Sequence, residues 1–452
     1  MKKSPLVFSA FALCIMYWIY LACTAEMVIG HDALGYERLG TLIHTQGFGE
    51  YLRTGPNREP LYPLLIAFSM SLSERLHVGY STVQIFFQLF ILFSTQLILL
   101  KLLRALGISS WISAFTIFYF GISPAVVNSA FRLYSEITAY PLVLGIIWLT
   151  HKLMDSAWNS KFCHHSFCLG LLLVLITMVK GIFEAIIPLN FLGLILAAAL
   201  RKWLRLNFFM LLAAAYFSFF LPVTAYKWAN KIANGHFALT DRGAYALYGS
   251  TARRVQNLSG RQILAGMAYV PHWRFCEHFF TPEECAYWSY TTSDSLGFGK
   301  QQELSEILPA QKIDKELFKL SLQKAGEKPL QYFLLTFLEG FKLFFWESPS
   351  MQYVYYPDPV IKFYSLKPIN LSLYIVMPIL TILAVGYGLI FIFKKSAPPL
   401  IGIILVFIIS YAAAYSFFLI LDRYSFPLIP LYLILIAWMA HHILKYPWMQ
   451  LR

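Results

Sequence analysis

The chain has 452 residues, of which 58% are apolar, 17% aromatic and only 13% charged, and its formal net charge is +13. A soluble domain needs more charge than this to keep its surface solvated, so the composition excludes an ordinary soluble protein and indicates an integral membrane protein. The positive charge is spread over several short segments and forms no single basic patch, which excludes a nucleic-acid-binding protein.

Long apolar segments recur along the chain, and each crossing of a bilayer core needs roughly 20 apolar residues in a helix. The sequence therefore predicts an all-α polytopic membrane protein with about 10 to 12 transmembrane helices. The predicted spans lie near residues 5–25, 80–100, 109–128, 134–150, 164–180, 183–200, 207–228, 371–393, 399–420 and 424–444. The first has a longer apolar run than a cleavable signal peptide, so we predict that it is an uncleaved anchor.

The distribution of Lys and Arg predicts the orientation, because these residues are retained on the cytoplasmic side of short loops. If the N-terminus lies in the cytoplasm, Asp155 is the only acidic residue in the cytoplasmic segments. The basic residues placed there are Lys2, Lys3, Lys101, Arg104, Lys152, Lys161, Arg201, Lys202, Arg205, Lys394, Lys395, Lys445 and Arg452. Both termini are therefore predicted to be cytoplasmic.

This orientation divides the chain into three parts. Residues 1–228 form an N-terminal transmembrane module that includes a first outer loop at 26–79. Residues 229–370 form a large extracytoplasmic loop, and residues 371–452 form a C-terminal transmembrane module. Loops carry function more often than the elements that they connect, so the two outer loops are predicted to hold the site.

Local patterns add detail to the outer loops. An amphipathic pattern at 36–52 predicts a helix along the membrane surface, and 311–324 is predicted to be helical. The apolar segment 331–346 is predicted to lie in the interface, because a span there would move Lys394 and Lys395 outside. Cys276 and Cys285 are near enough in sequence for a disulfide in an oxidising compartment, and the sequence leaves this bridge open.

Ionisable residues cluster at the outer ends of the predicted spans, where a charge is costly and often marks a site. In chain order they are Asp32, Arg58, Glu59, Arg132, Glu136, Lys180, Glu184, Asp422 and Arg423. A carboxylate in this setting can accept the proton of an attacking hydroxyl or amine, and cations can stabilise a departing phosphate. The pattern therefore favours transfer chemistry on a phosphate-linked substrate at the level of the lipid head groups.

Structural alternatives exist for the same residues. Asp32 would also serve as a helix cap, and Arg132 and Arg423 would also extend toward lipid head groups. Glu59 and Glu136 would also stabilise helix N-termini. The histidines lack the spacing of metal ligands, and no metal site is predicted.

Four motifs resemble, in their order along the chain, those of the membrane-embedded glycosyltransferases of the GT-C superfamily. They are HDALGY after the first span, NREPLYP at the end of the first outer loop, FRLYSE after the third span and DRYSFPLIP before the last. Within this superfamily, the motifs most resemble those of bacterial relatives of the protein O-mannosyltransferases and of the lipid A aminoarabinose transferase.

The resemblance implies an inverting transferase at the outer face of a bacterial inner membrane. It would move a sugar from a polyprenyl-phosphate donor to a lipid, glycan or protein acceptor. Asp32 matches the family's catalytic aspartate, the general base, and Glu59 matches a second acidic residue that orients the acceptor or the sugar. Arg58, Arg132, Lys180 and Arg423 are implied to bind the donor phosphate, and Tyr36, Tyr62 and Glu136 are further site candidates.

This chain departs from the family pattern at one position, because Arg58 precedes Glu59 where the family has a basic residue between the acid and the proline. No cofactor or metal is expected to be required. No nucleotide-sugar site is expected either, since the sequence has no Gly-rich phosphate loop.

Two other functions compete with this interpretation. An O-antigen polymerase or ligase would place its key residues in the large outer loop, among Arg242, Arg253, Arg254 and Arg261. A lipid or sugar transporter would be expected to carry carboxylates or broken helices near mid-membrane in two related halves, and the sequence shows neither.

Overall fold

The structure is a computed structural model that describes residues 4–155, 160–200, 206–347, 354–418 and 420–445. Some residues used to predict the orientation lie outside the described residues: Lys2, Lys3, Arg201, Lys202, Arg205 and Arg452. The described part of the chain is almost entirely helical, and its short strands form a single two-stranded pair.

The first helix, α1 (Pro5–Thr24), has one face that packs into the protein and one that faces outward. Cys14 and Trp18 are buried, and the Trp18 indole N–H donates to the carbonyl of Gly121 at 2.7 Å. Phe8 and Met16 are exposed, as expected of side chains that face lipid. Strand β1 (Glu26–Met27) follows the helix.

The first outer loop is helical and leads into the remaining helices of the N-terminal part. The loop forms α2 (Asp32–Gln46), α3 (Phe48–Arg53) and α4 (Leu61–Leu76). The helices after it are α5 (Tyr80–Ala105), α6 (Ser110–Ile122), α7 (Pro124–Ala130), α8 (Glu136–Asp155), α9 (Ser160–Val179), α10 (Phe183–Leu200) and α11 (Leu206–Asn234).

The large outer loop also folds into helices, which pack around two small apolar clusters separate from the main membrane core. These helices are α12 (Gly243–Arg254), α13 (Gly260–Tyr269), α14 (Trp273–Phe279), α15 (Pro282–Ala286), α16 (Tyr290–Ser305), α17 (Ala310–Glu327) and α18 (Pro329–Gly340). A 3-10 turn, Phe341–Phe344, ends this series.

The last part of the chain returns to the membrane core. It begins with strand β2 (Val354–Tyr355), which pairs antiparallel with β1. The pair connects the segment after α1 with the segment before α19. The following elements are α19 (Asp358–Ser365), α20 (Lys367–Leu371), a π turn (Ser372–Val376), α21 (Met377–Phe393), α22 (Pro399–Ser416), a 3-10 helix (Asp422–Leu428) and α23 (Ile429–Lys445).

Six described helical segments are long and apolar enough to cross a membrane. They are Pro5–Thr24, Tyr80–Ala105, Glu136–Met154, Lys367–Phe393, Pro399–Ser416 and Arg423–Lys445. Two shorter apolar helices, Cys163–Val179 and Phe183–Ala199, coincide with predicted spans, and the predicted span at 207–228 lies within α11. The prediction of an all-helical polytopic membrane protein is confirmed.

The predicted span at 109–128 is not one straight helix. It is divided into α6 and α7, which meet at an angle of 54°. The residue before a proline is disfavoured in the helical conformation, and Ser123, which precedes Pro124, has an extended ψ of 126°. The Ser123 hydroxyl then accepts from the Val126 backbone N–H and caps α7, so the bend is built into the Ser-Pro pair.

The outer loops agree with most of the local predictions. The predicted surface helix at 36–52 forms as α2 and α3, which are separated at Gly47, and the predicted helix at 311–324 lies within α17. Helix α18 has 12 residues, a length of about 18 Å, which is too short to cross a bilayer core about 30 Å thick. Cys276 and Cys285 form a disulfide, with Cα atoms 5.9 Å apart.

Candidate active site

A cavity of about 1170 Å³ lies between the outer ends of the membrane helices and the helices of the large outer loop. Its membrane side is lined by residues from α2, from the start of α8, from the turn between α9 and α10, and from the 3-10 helix before α23. Its outer side is lined by residues of α12 and α16. The cavity therefore brings together parts of the chain that are far apart in sequence.

Asp32 lies in this cavity and contacts three arginines. The Nη2 atom of Arg58 is 2.6 Å from Oδ1 of Asp32, and Arg423 pairs with Oδ2. Nη1 of Arg242 lies 3.6 Å from Oδ1. Asp32 is the first residue of α2 and His31 is the N-cap, so the Asp32 side chain binds arginines and does not cap the helix.

The arginines control the charge of Asp32. Burial acts to raise the pKa of this carboxyl, but the Arg423 and Arg58 guanidinium groups outweigh burial and hold the pKa well below its usual range. Burial acts to lower the pKa of Arg58, but Tyr36 and Asp32 together raise it. Asp32 is therefore an anion, and it is a weak base as long as both arginines remain paired with it.

A second carboxylate extends this ion-pair network. Oε1 of Glu136 lies 2.9 Å from Nζ of Lys180 and 3.9 Å from Nε of Arg423. Glu136 and Lys180 are buried, with 4% and 9% exposure. Charges of alternating sign therefore continue from Arg58 through Asp32, Arg423 and Glu136 to Lys180.

The HDALGY motif has a geometric explanation in the packing of Arg58. Gly35 lies one helical turn after Asp32, and a Cβ atom there would be 3.1 Å from Nε of Arg58 and 3.2 Å from its Nη2. The Arg58 guanidinium carbon lies 4.2 Å from the ring centre of Tyr36. The glycine and the tyrosine thus form the surface on which Arg58 lies while it pairs with Asp32.

Glu59 lies in the same cavity but has a different role in the fold. Its Oε1 atom accepts a hydrogen bond from the backbone N–H of Gly181 at 2.5 Å. Gly181 follows Lys180 in the turn between α9 and α10, so Glu59 fixes the position of the turn that presents the lysine.

The remaining predicted site residues differ in their access to the cavity. Arg132 and Tyr36 line it, and the Tyr36 hydroxyl lies 3.0 Å from Oγ of Ser135. Tyr62 is 1% exposed, donates its hydroxyl to Gln88 at 2.7 Å and packs edge-on against Tyr36. Tyr62 therefore supports a lining residue from behind.

The four arginines named by the competing polymerase or ligase hypothesis lie in different environments in the structure. Arg253 and Arg254 are 2% and 0% exposed and pair with Glu339. Arg261 pairs with Glu284 on the surface. Of the four, Arg242 lines the cavity, so this hypothesis loses three of its proposed ligand-binding residues.

Other lining residues were not identified from the sequence. Tyr245, Asp294 and Phe298 form part of the outer side, and Lys227 lies on the membrane side, where it pairs with Glu184. No local motif marks Tyr245, Asp294, Phe298 or Lys227, because they reach the cavity through the packing of α12, α16 and α11.

Within the described residues, no group of three or more His, Cys, Asp or Glu side chains is arranged to hold a metal ion. That the reaction needs no metal stays a prediction.

No known family model and no curated protein matches the chain. Among solved structures, the chain is similar to the archaeal oligosaccharyltransferase AglB from Archaeoglobus fulgidus, solved in complex with an inhibitory peptide and a dolichol-phosphate. The TM-score is 0.48 and the sequence identity is 11%, over 97% of this chain and 50% of that one. This chain thus spans about half the length of the archaeal enzyme.

Proposed function

We propose that this chain is an inverting glycosyltransferase that moves a sugar from a polyprenyl-phosphate donor to an acceptor on the extracytoplasmic side of a membrane. The observation that carries the proposal is the pairing of Asp32 with Arg58 and Arg423 in a cavity at the outer ends of membrane helices. This reaction needs a carboxylate that accepts a proton as general base, and it needs cations that bind a phosphate.

The reaction is a single displacement. An acceptor O–H or N–H group attacks the anomeric carbon of the donor sugar, and a new bond from that oxygen or nitrogen to the carbon forms. The bond between the anomeric carbon and the phosphate oxygen breaks, and its electron pair leaves with the polyprenyl phosphate. Asp32 accepts the acceptor's proton, and the configuration at the anomeric carbon is inverted.

The cations at the cavity stabilise the leaving group. Arg58, Lys180, Arg423 and Arg132 line the membrane side, where the phosphate of a donor with its prenyl chain in the bilayer would lie. Guanidinium groups bind phosphate in a bidentate manner, and positive charge there stabilises the negative charge that develops as the bond breaks.

The same arginines link donor binding to the activation of Asp32. Without donor they lower the pKa of Asp32, and a donor phosphate competes with Asp32 for them. Any loss of these contacts raises the pKa of Asp32 toward its ordinary value, which makes the carboxylate a stronger base. Donor binding thus prepares the base before the acceptor reacts.

We place the protein in a bacterial inner membrane, with both termini in the cytoplasm and the cavity on the periplasmic side. The acceptor is a lipid, a glycan or a protein, and the identity of the sugar is open. The chain is proposed to work in three parts, 1–228, 229–370 and 371–452, with the first outer loop (26–79) and the large loop enclosing the cavity.

The test uses membranes from a cell that lacks the gene, complemented with wild type, Asp32→Asn or Asp358→Asn and supplied with radiolabelled polyprenyl-phosphate sugar. Asp358 is an exposed carboxylate in α19 outside the cavity lining, so its variant controls for the loss of one negative charge. We expect Asp32→Asn to transfer about 10²-fold to 10⁴-fold less label than wild type, and Asp358→Asn to match wild type.

Two outcomes contradict the proposal. An Asp32→Asn variant that is well expressed and transfers label like wild type removes the base assignment. Labelled donor that crosses the bilayer while no new glycosidic bond forms identifies a transporter.

A further inference from the structure

The outer side of the cavity carries a pair of stacked aromatic rings that the proposed transfer chemistry does not use. The rings of Tyr245 in α12 and Phe298 in α16 have centroids 4.4 Å apart and an interplanar angle of 24°. Phe298 remains 49% exposed, and both residues line the cavity. An aromatic pair that is exposed to a cavity offers a flat apolar surface to a ligand.

Two glycines produce this pair by allowing α12 and α16 to approach closely. A Cβ atom at Gly249 would lie 1.9 Å from the carbonyl oxygen of Ser293, and one at Gly297 would lie 2.4 Å from that of Tyr245. Both obstacles are backbone atoms, which cannot move aside as a flexible side chain does. The helix crossing that brings Tyr245 over Phe298 therefore requires glycine at both positions.

Charged groups that line the same cavity accompany the aromatic pair. Asp294, one turn before Phe298 on α16, lines the cavity and interacts electrostatically with Arg242 and Asp32. Tyr245 interacts with the same two groups and with Asp294. A hydrogen-bond acceptor and a guanidinium donor thus flank a ring platform within electrostatic reach of Asp32.

This combination matches the chemistry of a sugar ring. A pyranose has an apolar face of C–H groups, which packs on an aromatic ring, and hydroxyls at its edge, which bond to carboxylate and guanidinium groups. We propose that Tyr245, Phe298, Asp294 and Arg242 form a binding subsite for a saccharide unit of the acceptor, which would make the acceptor a glycan or a glycolipid.

The position of the subsite assigns it to the acceptor. The inference rests on the proposed function, in which the donor phosphate lies with Arg58, Lys180 and Arg423 on the membrane side. The subsite lies on the outer helices, and Arg242 spans the gap to Asp32, with Nη1 3.6 Å from Oδ1. A saccharide bound there places a hydroxyl toward the base from the side opposite to the donor phosphate.

The test measures binding, so its result does not depend on transfer. The purified protein in lipid nanodiscs is examined by saturation-transfer NMR with methyl β-glucoside, methyl α-mannoside and chitobiose as probes. The variants are Phe298→Leu, Tyr245→Leu and Asp294→Asn. The control is Phe318→Leu, because Phe318 is an aromatic residue of α17 that is 52% exposed and outside the cavity lining.

We expect the C–H face of at least one probe to receive saturation from wild type and from Phe318→Leu. Loss of one ring should weaken this binding about tenfold. Unchanged melting temperatures exclude unfolding as the cause. Binding of no probe to wild type, or binding that Phe298→Leu, Tyr245→Leu and Asp294→Asn leave unchanged, overturns the proposal.

A competition experiment tests whether the saccharide in this subsite belongs to the acceptor or to the donor. Farnesyl-phosphate glucose is added at a concentration at which its ³¹P resonance reports binding to the protein. Retention of the probe signal supports an acceptor subsite. Displacement of the probe shows that the donor's own sugar occupies the aromatic pair and overturns the acceptor assignment.

Discussion

Asp32 receives its partners from three parts of the chain. Arg58 lies in the same outer loop, Arg242 lies in the large outer loop just before α12, and Arg423 is 391 residues away in sequence. Interactions between charges strengthen where water is excluded, so each partner affects both the charge and the basicity of the carboxylate. Asp32 is therefore the residue at which changes in the surrounding cations have their clearest chemical effect.

We predict that Arg423→Gln shifts the acid limb of the transfer rate to higher pH. Burial raises the pKa of Asp32, and Arg423 is the largest of the charges that lower it, so the pKa of Asp32 in the variant rises toward its ordinary value. The base works only when ionised, so activity is lost at a higher pH in the variant than in wild type.

The measurement is the initial rate of transfer at donor concentrations well below saturation, which reports the free enzyme, across the range from about pH 4 to about pH 8. Arg261→Gln is the control, because Arg261 is an arginine that pairs with Glu284 far from the cavity lining. If the Arg423→Gln variant is slower at every pH but loses activity at the same acidic pH as wild type, Arg423 does not set the pKa of Asp32.

The sequence predicted the residue types at this site better than their geometry. Asp32, Arg58, Glu136, Lys180 and Arg423 follow from the cost of charges at helix ends and from the motifs shared with the family, and both of these signals are local in sequence. Their alternating ion pairs depend on contacts across hundreds of residues, which no single motif encodes. The sequence also could not distinguish a cavity-lining arginine from the paired and buried Arg253 and Arg254.

At the scale of elements, one buried ion cluster fixes the large outer loop to the membrane part. Arg253 and Arg254 of α12 pair with Glu339 of α18, and the Arg254 guanidinium also donates to the carbonyls of Phe417 and Phe418 after α22. Burial raises the pKa of Glu339, but the two arginines and Lys342 together lower it to about 2. The cluster thus joins α12 to α18 through one carboxylate, and joins both to the end of α22 through the Arg254 guanidinium.

We predict that Glu339→Gln destabilises the protein by about 3 to 5 kcal/mol, because it leaves two buried guanidinium groups without a counter-charge. The measurement is thermal unfolding of the purified protein in detergent, compared with wild type. The control is Glu284→Gln, which removes the partner of an exposed arginine and should leave the melting temperature unchanged. Equal melting temperatures for both variants would show that the cluster does not stabilise this junction.

Helices were easier to predict than their bends and contacts. A span is a run of about 20 apolar residues, a property of one continuous segment, and each predicted span except 109–128 overlaps one long helix. The 54° bend between α6 and α7 was not predicted, because 109–128 has no charged residue and is long enough for one span, although the Ser123–Pro124 pair lies at the bend. The stacked pair of Tyr245 and Phe298 was missed because it depends on a glycine crossing between two helices.

At the scale of the whole molecule, exposed apolar side chains form the surface of the membrane part. Leu221 and Phe393 are 77% and 82% exposed, and such residues need a lipid environment. The exposed Lys394 follows the end of α21, and Lys315 lies on α17 of the large outer loop. These two lysines are predicted to lie on opposite sides of the membrane.

We predict that a cysteine introduced by Lys315→Cys reacts with a membrane-impermeant maleimide in intact cells, whereas one introduced by Lys394→Cys reacts only after the membrane is opened. Positive charge retained in the cytoplasm is the physical reason. The free cysteines are first changed to serine: Cys14, Cys23, Cys163 and Cys168. The reverse labelling pattern would invert the orientation and place the cavity in the cytoplasm.

The pairing of Asp32 with Arg423 also sets an order for biogenesis. The first outer loop is synthesised and translocated long before the 3-10 helix that carries Arg423 leaves the ribosome. Until then Asp32 lacks one of its counter-ions, and the cavity lacks the wall that holds it. Under the proposed function, the nascent chain therefore acquires its complete site only once the segment that carries Arg423 is in place, and a polypeptide that stops short of Arg423 is expected to have no transferase activity.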